Sequence, residues 1–226
     1  MSTSTLYPNQ HVQPQSYHVV RIHGLQNSGT NLLTQYLQQH FTVFLDTPGW
    51  KHQMLTPSFC HRYPGFIDQR VLKIFIVKDP YFWLQSMYKS PYEVMSIQRP
   101  RNINDYARRP VKLTAERGGM VYRNPIQYWR IWYEKGIDLL HQYRMPLMVI
   151  RYEDLLFYPE QVMNELSTYL TKKGDWTSPR IIESAAKSHG ASRNRTDALA
   201  YYHDEKNRVK GLDMRAIELI ERELTS

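Results

Sequence analysis

Residues 17–40, YHVVRIHGLQNSGTNLLTQYLQQH, carry the reading of the fold. The first seven, YHVVRIH, are short, β-branched and bounded by Gly24, the pattern of a buried strand. From Thr30 to His40 the period changes: Leu32, Leu33, Tyr36 and Leu37 recur at helical spacing with polar residues between them. Between strand and helix lies GLQNSGTN at 24–31. Glycines in such a turn let several backbone N–H groups converge, and the helix that follows adds its positive end, so the loop suits a phosphate or sulfate. A tight structural turn is the plainer alternative for a loop of this kind standing alone.

Outward from this segment the alternation continues. Residues 41–45 read as a second strand, followed by the irregular DTPGWKHQMLTP at 46–57. VLKIFIV at 71–77 is nearly all apolar, as expected for a central parallel strand covered on both faces. Asp79 and Pro80 have the chemistry of an N-cap and a first helical residue, opening a helix to about Lys89. Helical spacing returns at 125–143, a strand at 146–150, and helices at 159–170, 179–187 and 212–224. The order predicts one α/β domain over 1–226, a three-layer sandwich with a mainly parallel central sheet. Residues 1–16 read as a flexible N-terminus. The basic stretch 90–124, without a firm period, reads as a helical or irregular insert and a possible acceptor lid.

At 226 residues, 42% hydrophobic and 22% charged, the chain has material for one core and lacks a disordered or fibrous composition. No run approaches the ~20 apolar residues that span a bilayer, and the polar start lacks a secretory pattern. Cys60 is the single cysteine, which excludes internal disulfides and a cysteine-rich zinc site and fits a reducing compartment. A cytoplasmic protein without membrane partners is expected. The net charge of +8 favours an anionic partner. Seven Arg or Lys residues fall in 99–123 and six in 187–210, either as solvated surface or as binding patches.

A nucleoside triphosphatase needs Gly-Lys-Ser/Thr at the end of the glycine loop, the lysine for terminal phosphates and the hydroxyl for magnesium. Here Gly29-Thr30-Asn31 stands in its place, against ordinary ATP or GTP hydrolysis. Three segments in order, RIHGLQNSGTNLL, VKDPYFWLQSMY and VIRYEDLLFYPEQVMNELSTYL, instead resemble the sulfotransferases that use 3′-phosphoadenosine 5′-phosphosulfate, PAPS. The resemblance spans about residues 17–170 and lies in the ordered set rather than in any one motif.

It implies a P-loop fold and transfer of a sulfuryl group from PAPS to a hydroxyl or amine of a small-molecule acceptor, with PAP released and no metal required. Gln26, Asn27, Ser28, Gly29, Thr30 and Asn31 would form the 5′-phosphosulfate loop. Lys78 and Ser86 would meet the 3′-phosphate, Tyr152 would face adenine, and Ser188 would lie near the base. Arg208 and Lys210, in the late basic segment NRVKGL, would close over the 3′-phosphate.

His52, in GWKHQM, takes the family's position for a general base, with Asp46, His23 and His61 as alternatives. Two departures stand out. Asn27 replaces the lysine that many members carry before Ser-Gly-Thr, so Lys51 becomes the candidate catalytic cation; Lys78 replaces the commoner arginine, giving up a bidentate fork. Trp50, Trp83, Tyr88, Tyr92 and Tyr122 are candidates for an acceptor pocket, while Trp129 and Trp132 read as core. The alternatives are a P-loop nucleotide kinase and a basic nucleic-acid-binding module, the latter suggested by charge and by YWRIWYEK at 128–135, although nucleic acid is an unlikely partner without a recognition signature.

Overall fold

The computed structural model describes residues 4–14, 17–46, 51–91, 100–113, 119–184 and 194–226. In chain order they form β1 (Leu6–Pro8), β2 (Val19–His23), α1 (Thr30–His40), β3 (Phe44–Leu45), α2 (Pro57–Arg62) and a 3-10 turn at Pro64–Ile67. Then come β4 (Val71–Val77), α3 (Pro80–Lys89), α4 (Ile103–Arg108) and the antiparallel pair β5 (Val111–Lys112) and β6 (Val121–Tyr122). The long helix α5 (Pro125–Gln142), β7 (Leu147–Arg151), α6 (Tyr152–Phe157), α7 (Pro159–Leu166), α8 (Arg195–His203), α9 (Glu205–Arg208) and α10 (Met214–Thr225) complete it.

The main sheet runs β3-β2-β4-β7-β1, with β2, β3, β4 and β7 parallel and β1 antiparallel at one edge. Strand side chains alternate between faces, and both faces are covered. Val20, Ile22, Leu72, Ile74, Ile76, Met148 and Ile150 pack against α1, α6 and α7. Phe75 and Leu147 face Trp83 of α3, Trp132 and Leu139 of α5 and Ile220 of α10. The protein is therefore an α/β fold with a mostly parallel central sheet between helical layers.

The second face also carries three buried polar side chains, Arg21, His23 and Lys73. Arg21 pairs with Asp46, donates to the Gly65 carbonyl at 3.0 Å and lies 3.9 Å over the Phe66 ring. Lys73, opposite Arg21 across the β2–β4 ladder, donates to the Asp68 carbonyl. Burial, with Arg21 beside it, pushes the Lys73 ammonium down to about 7.

Several expectations change. Leu6–Pro8 is a strand rather than flexible chain: Leu6 is buried, and the Glu165 carboxylate accepts the Thr5 and Leu6 N–H groups. The helix expected at 179–187 is absent over its described part, 179–184. Its polar backbone is used by tertiary partners instead, Ile182 N–H on the Tyr36 hydroxyl and Glu183 C=O on Arg195 N–H. The 90–124 stretch contains α4 and the β5–β6 pair, and its residues 92–99 and 114–118 lie outside the described ones. Among the described residues no helix is long and apolar enough to cross a membrane.

Candidate active site

From β2 the chain first goes to β3 on one side and then returns to β4 on the other. The direction of winding thus reverses between β2 and β4, and ligands of open α/β sheets bind at the carboxyl ends of strands at such a point. Residues 24–29 leave β2 there, and Lys78 leaves β4.

The loop is built tightly. Gly29 has φ 96°, and a Cβ on it would fall 2.2 Å from the Tyr152 ring; Asn27 has φ 62°, a left-handed conformation asparagine tolerates. The Leu25 carbonyl accepts from Ser28 N–H at 3.1 Å and from its hydroxyl at 2.6 Å. Trp83 Nε1 donates to the Gln26 carbonyl, while the Tyr133 hydroxyl accepts from Leu25 N–H and donates to the Ile76 carbonyl. The loop is thereby clamped to β4, α3 and α5. The Gln26 carboxamide is 1% exposed, and neither its nitrogen nor its oxygen has a hydrogen-bond partner among the described residues.

Lys78 and Ser86 meet. The Lys78 ammonium donates to Ser86 Oγ at 2.8 Å and to the Asn27 carbonyl at 3.4 Å, and the lysine is 4% exposed. This follows from local structure: Asp79 caps α3 by accepting from Tyr81 and Phe82 N–H with Pro80 in the first turn, and Ser86 comes around on the following turns. The ammonium also lies 5.0 Å from the Tyr152 ring and 5.2 Å from that of Tyr202 on α8. Burial raises the Tyr152 hydroxyl well above its ordinary value, so the ring stays neutral.

Lys51 and His52 cover the start of the loop. Gly24 N–H donates to the Lys51 carbonyl at 3.2 Å, the Lys51 ammonium reaches Asn31 Oδ1 at the first turn of α1, and burial lowers the Lys51 ammonium. His52 Nδ1 is 2.5 Å from the Gly24 carbonyl. A carbonyl only accepts, so Nδ1 carries a proton in this contact.

Other expected residues have different partners. The Asn27 amide donates to the Ser86 and Ser90 carbonyls at the end of α3, so it holds that helix rather than facing the loop's concavity. Ser28 is fully buried, with its hydroxyl turned inward. Arg208 pairs with Asp79 at 3.0 Å and lies over the Tyr81 ring; Lys210 is exposed. Ser188, Trp50 and Tyr92 lie outside the described residues. Trp83 and Tyr122 are packed into the core, and Trp132 is core as expected. Of the alternative bases, Asp46 is tied to Arg21 and His61 is exposed on α2. His23 is buried between Phe66 and Phe75 and pushed down to about 3 by burial and by the nearby cations Arg21 and Lys73. In the 99–123 stretch, Arg108, Arg109 and Arg123 pair with Asp213, Asp105 and Glu223.

Residues not singled out in the sequence complete the site. Gln85, buried beside Ser86, donates to the Asn207 and Arg208 carbonyls and accepts from the Tyr201 hydroxyl, binding α8 and α9 to α3. Tyr202 packs on Tyr152 and Phe82. A cleft opens on the other side of Tyr152, lined by Leu32 and Tyr36 of α1, Leu156 of α6, Ile182, Glu183 and Arg195. For Tyr201 and Tyr202 the only signal was the aromatic pair itself.

No family model matches this chain, and neither the curated proteins nor the solved structures hold a significant match to it.

Proposed function

We propose that the protein is a PAPS-dependent sulfotransferase of the P-loop type, acting on a hydroxyl or amine of a small-molecule acceptor. One observation carries the reading: a buried ammonium and a hydroxyl, Lys78 and Ser86, lie 2.8 Å apart at the sheet's switch point beside a strand–loop–helix turn. A fixed cation with an adjacent donor suits a dianionic phosphate, and charge-assisted hydrogen bonds of this kind are the strong ones. The loop at 24–31 takes the 5′ end of the same nucleotide, and Tyr152, which contacts both Gly29 and the neighbouring cleft, lies along the way to the base.

In the reaction the acceptor oxygen or nitrogen forms a bond to sulfur as the bond from sulfur to the nucleotide's phosphate oxygen breaks. The acceptor proton goes to His52 Nε2, whose tautomer is set by the Gly24 carbonyl. Loop N–H groups and the Lys51 ammonium, held at Asn31, stabilise charge on the leaving oxygen. Lys51 supplies the charge that a neutral carboxamide cannot, and the Asn27 amide is in any case committed to α3. The reading places the protein in the cytoplasm, with PAPS as co-substrate.

Calorimetry with PAP, ADP and magnesium ATP tests it. PAP binding at least about tenfold tighter than ADP is expected from the added charge-assisted contacts. Equal binding of PAP and ADP sinks the assignment, and preference for magnesium ATP returns the nucleotide kinase. With an acceptor in hand, His52→Ala lowers turnover by about 100-fold or more while PAP affinity holds; unchanged turnover removes His52 from the mechanism.

A further inference from the structure

The cleft beside Tyr152 contains an arginine that the phosphate reading does not use. Arg195 is the first residue of α8, and its side chain reaches back to the Leu156 carbonyl at 3.2 Å through one terminal nitrogen. Its Nε is buried and has no hydrogen-bond partner among the described residues. A guanidinium nitrogen bears a hydrogen and cannot accept, so this is a donor held out of water without an acceptor. Leaving such a group unsatisfied costs roughly 1–3 kcal/mol, more when it is charged.

The surroundings define what would satisfy it. Leu32, Leu155, Leu156, Ile182 and Ala198 make apolar walls, and Tyr152 adds an aromatic face. Tyr152 also touches the loop at Gly29, so the cleft and the phosphate loop share one side chain. The nucleotide reading above, with phosphates at the loop and Lys78, leaves this cleft to take the base. We infer that Arg195 is the residue that reads the base of the bound nucleotide, its Nε–H donating to a ring nitrogen of adenine while the apolar walls cover the ring. Glu183, at the rim of the cleft, is placed to accept from the exocyclic amine, a donor that guanine lacks at the same position. Arg195 is thus a specificity-determining residue of the nucleotide site, distinct from the cations that meet phosphate.

The inference rests on the nucleotide reading above, and the experiment separates the two. Binding of PAP, guanosine 3′,5′-bisphosphate and abasic ribose 3,5-bisphosphate is measured by calorimetry for the wild type, Arg195→Ala and Arg195→Lys. The wild type is expected to prefer PAP to both other ligands. Both variants are expected to bind PAP about tenfold or more weakly, as loss of one charge-assisted hydrogen bond implies, and to bind the abasic bisphosphate as the wild type does. Arg195→Lys keeps the charge but not the Nε donor, so it loses base preference without losing attraction for phosphate. Equal loss for PAP and the abasic ligand overturns the inference, because it makes Arg195 a phosphate cation or a structural tie. Unchanged PAP affinity also overturns it. Wild-type protein that binds no bisphosphate refutes the nucleotide reading and the inference together, whereas wild-type binding of the abasic ligand as tight as PAP refutes only the inference.

Discussion

Lys73 shows how one residue can obey the fold and strain it. It sits in the middle of an otherwise apolar strand, fully buried, directly across from Arg21. Burial disfavours the Lys73 ammonium and the neighbouring Arg21 cation adds repulsion, while Arg21 itself is paired with the Asp46 carboxylate, so Lys73 holds its proton less tightly than a free lysine. Its folded-state value of about 7 lies below the ordinary lysine value of 10.5. Between these values the unfolded chain binds the proton more tightly, so stability rises with pH across that window and the full cost persists below it. Lys73→Met is expected to raise unfolding free energy at pH 6 by about 1–4 kcal/mol, as replacement of buried charges by similar apolar volume does. The gain should shrink as pH climbs from 7 to 10; denaturant titrations at several pH values that show a constant difference would refute the account.

The loop at 24–31 and helix α3 act as elements rather than as lists of residues. Their contact runs through the backbone: Trp83 to the Gln26 carbonyl, and the Asn27 amide to the last carbonyls of α3. The meeting of Lys78 with Ser86 and with the Asn27 carbonyl therefore depends on the loop keeping its left-handed turn. Gly29→Ala places a Cβ inside the Tyr152 ring and forces a positive φ on alanine. A loss of about 1–3 kcal/mol in stability is expected from backbone strain of this type, with weaker PAP binding, measured by thermal denaturation with and without ligand. Full retention of both properties would show that the loop tolerates another conformation. Nothing in residues 24–31 alone announced that Asn27 would serve α3; its side chain is polar and turn-forming in either role.

For the whole molecule, the charge of +8 is a poor guide to the partner. Arginines of the 99–123 stretch are held by acidic side chains of α4 and α10, so that stretch ties the insert to the C-terminal helix. The pairs on Asp105 and Asp213 are partly exposed and contribute little stability individually, whereas Arg123 meets the buried Glu223 carboxylate; all three turn a guanidinium toward a carboxylate rather than toward a polyanion. Duplex DNA is accordingly expected to bind weakly, with a salt dependence corresponding to few phosphate contacts. Tight DNA binding that falls steeply between 50 and 200 mM salt in fluorescence anisotropy would favour the nucleic-acid module instead.

The sequence by itself determined the alternation of strand and helix, the position of the glycine loop and the Asp79–Pro80 start of α3, because periodicity, caps and turn glycines act over a few neighbouring residues. Through the resemblance it also brought forward Lys78, Ser86, Tyr152, Lys51 and His52, and these lie around the carboxyl ends of the inner strands. Tertiary structure decided the rest. Whether Leu6–Pro8 pairs with β7, whether residues 179–184 coil into a helix, and that Arg208 faces Asp79 depend on partners far away in the chain. Gln85, Tyr202 and Arg195 acquire their places only when α8 and α9 fold back over α3 and α6, since contacts across 39 to 123 residues leave no local pattern to read.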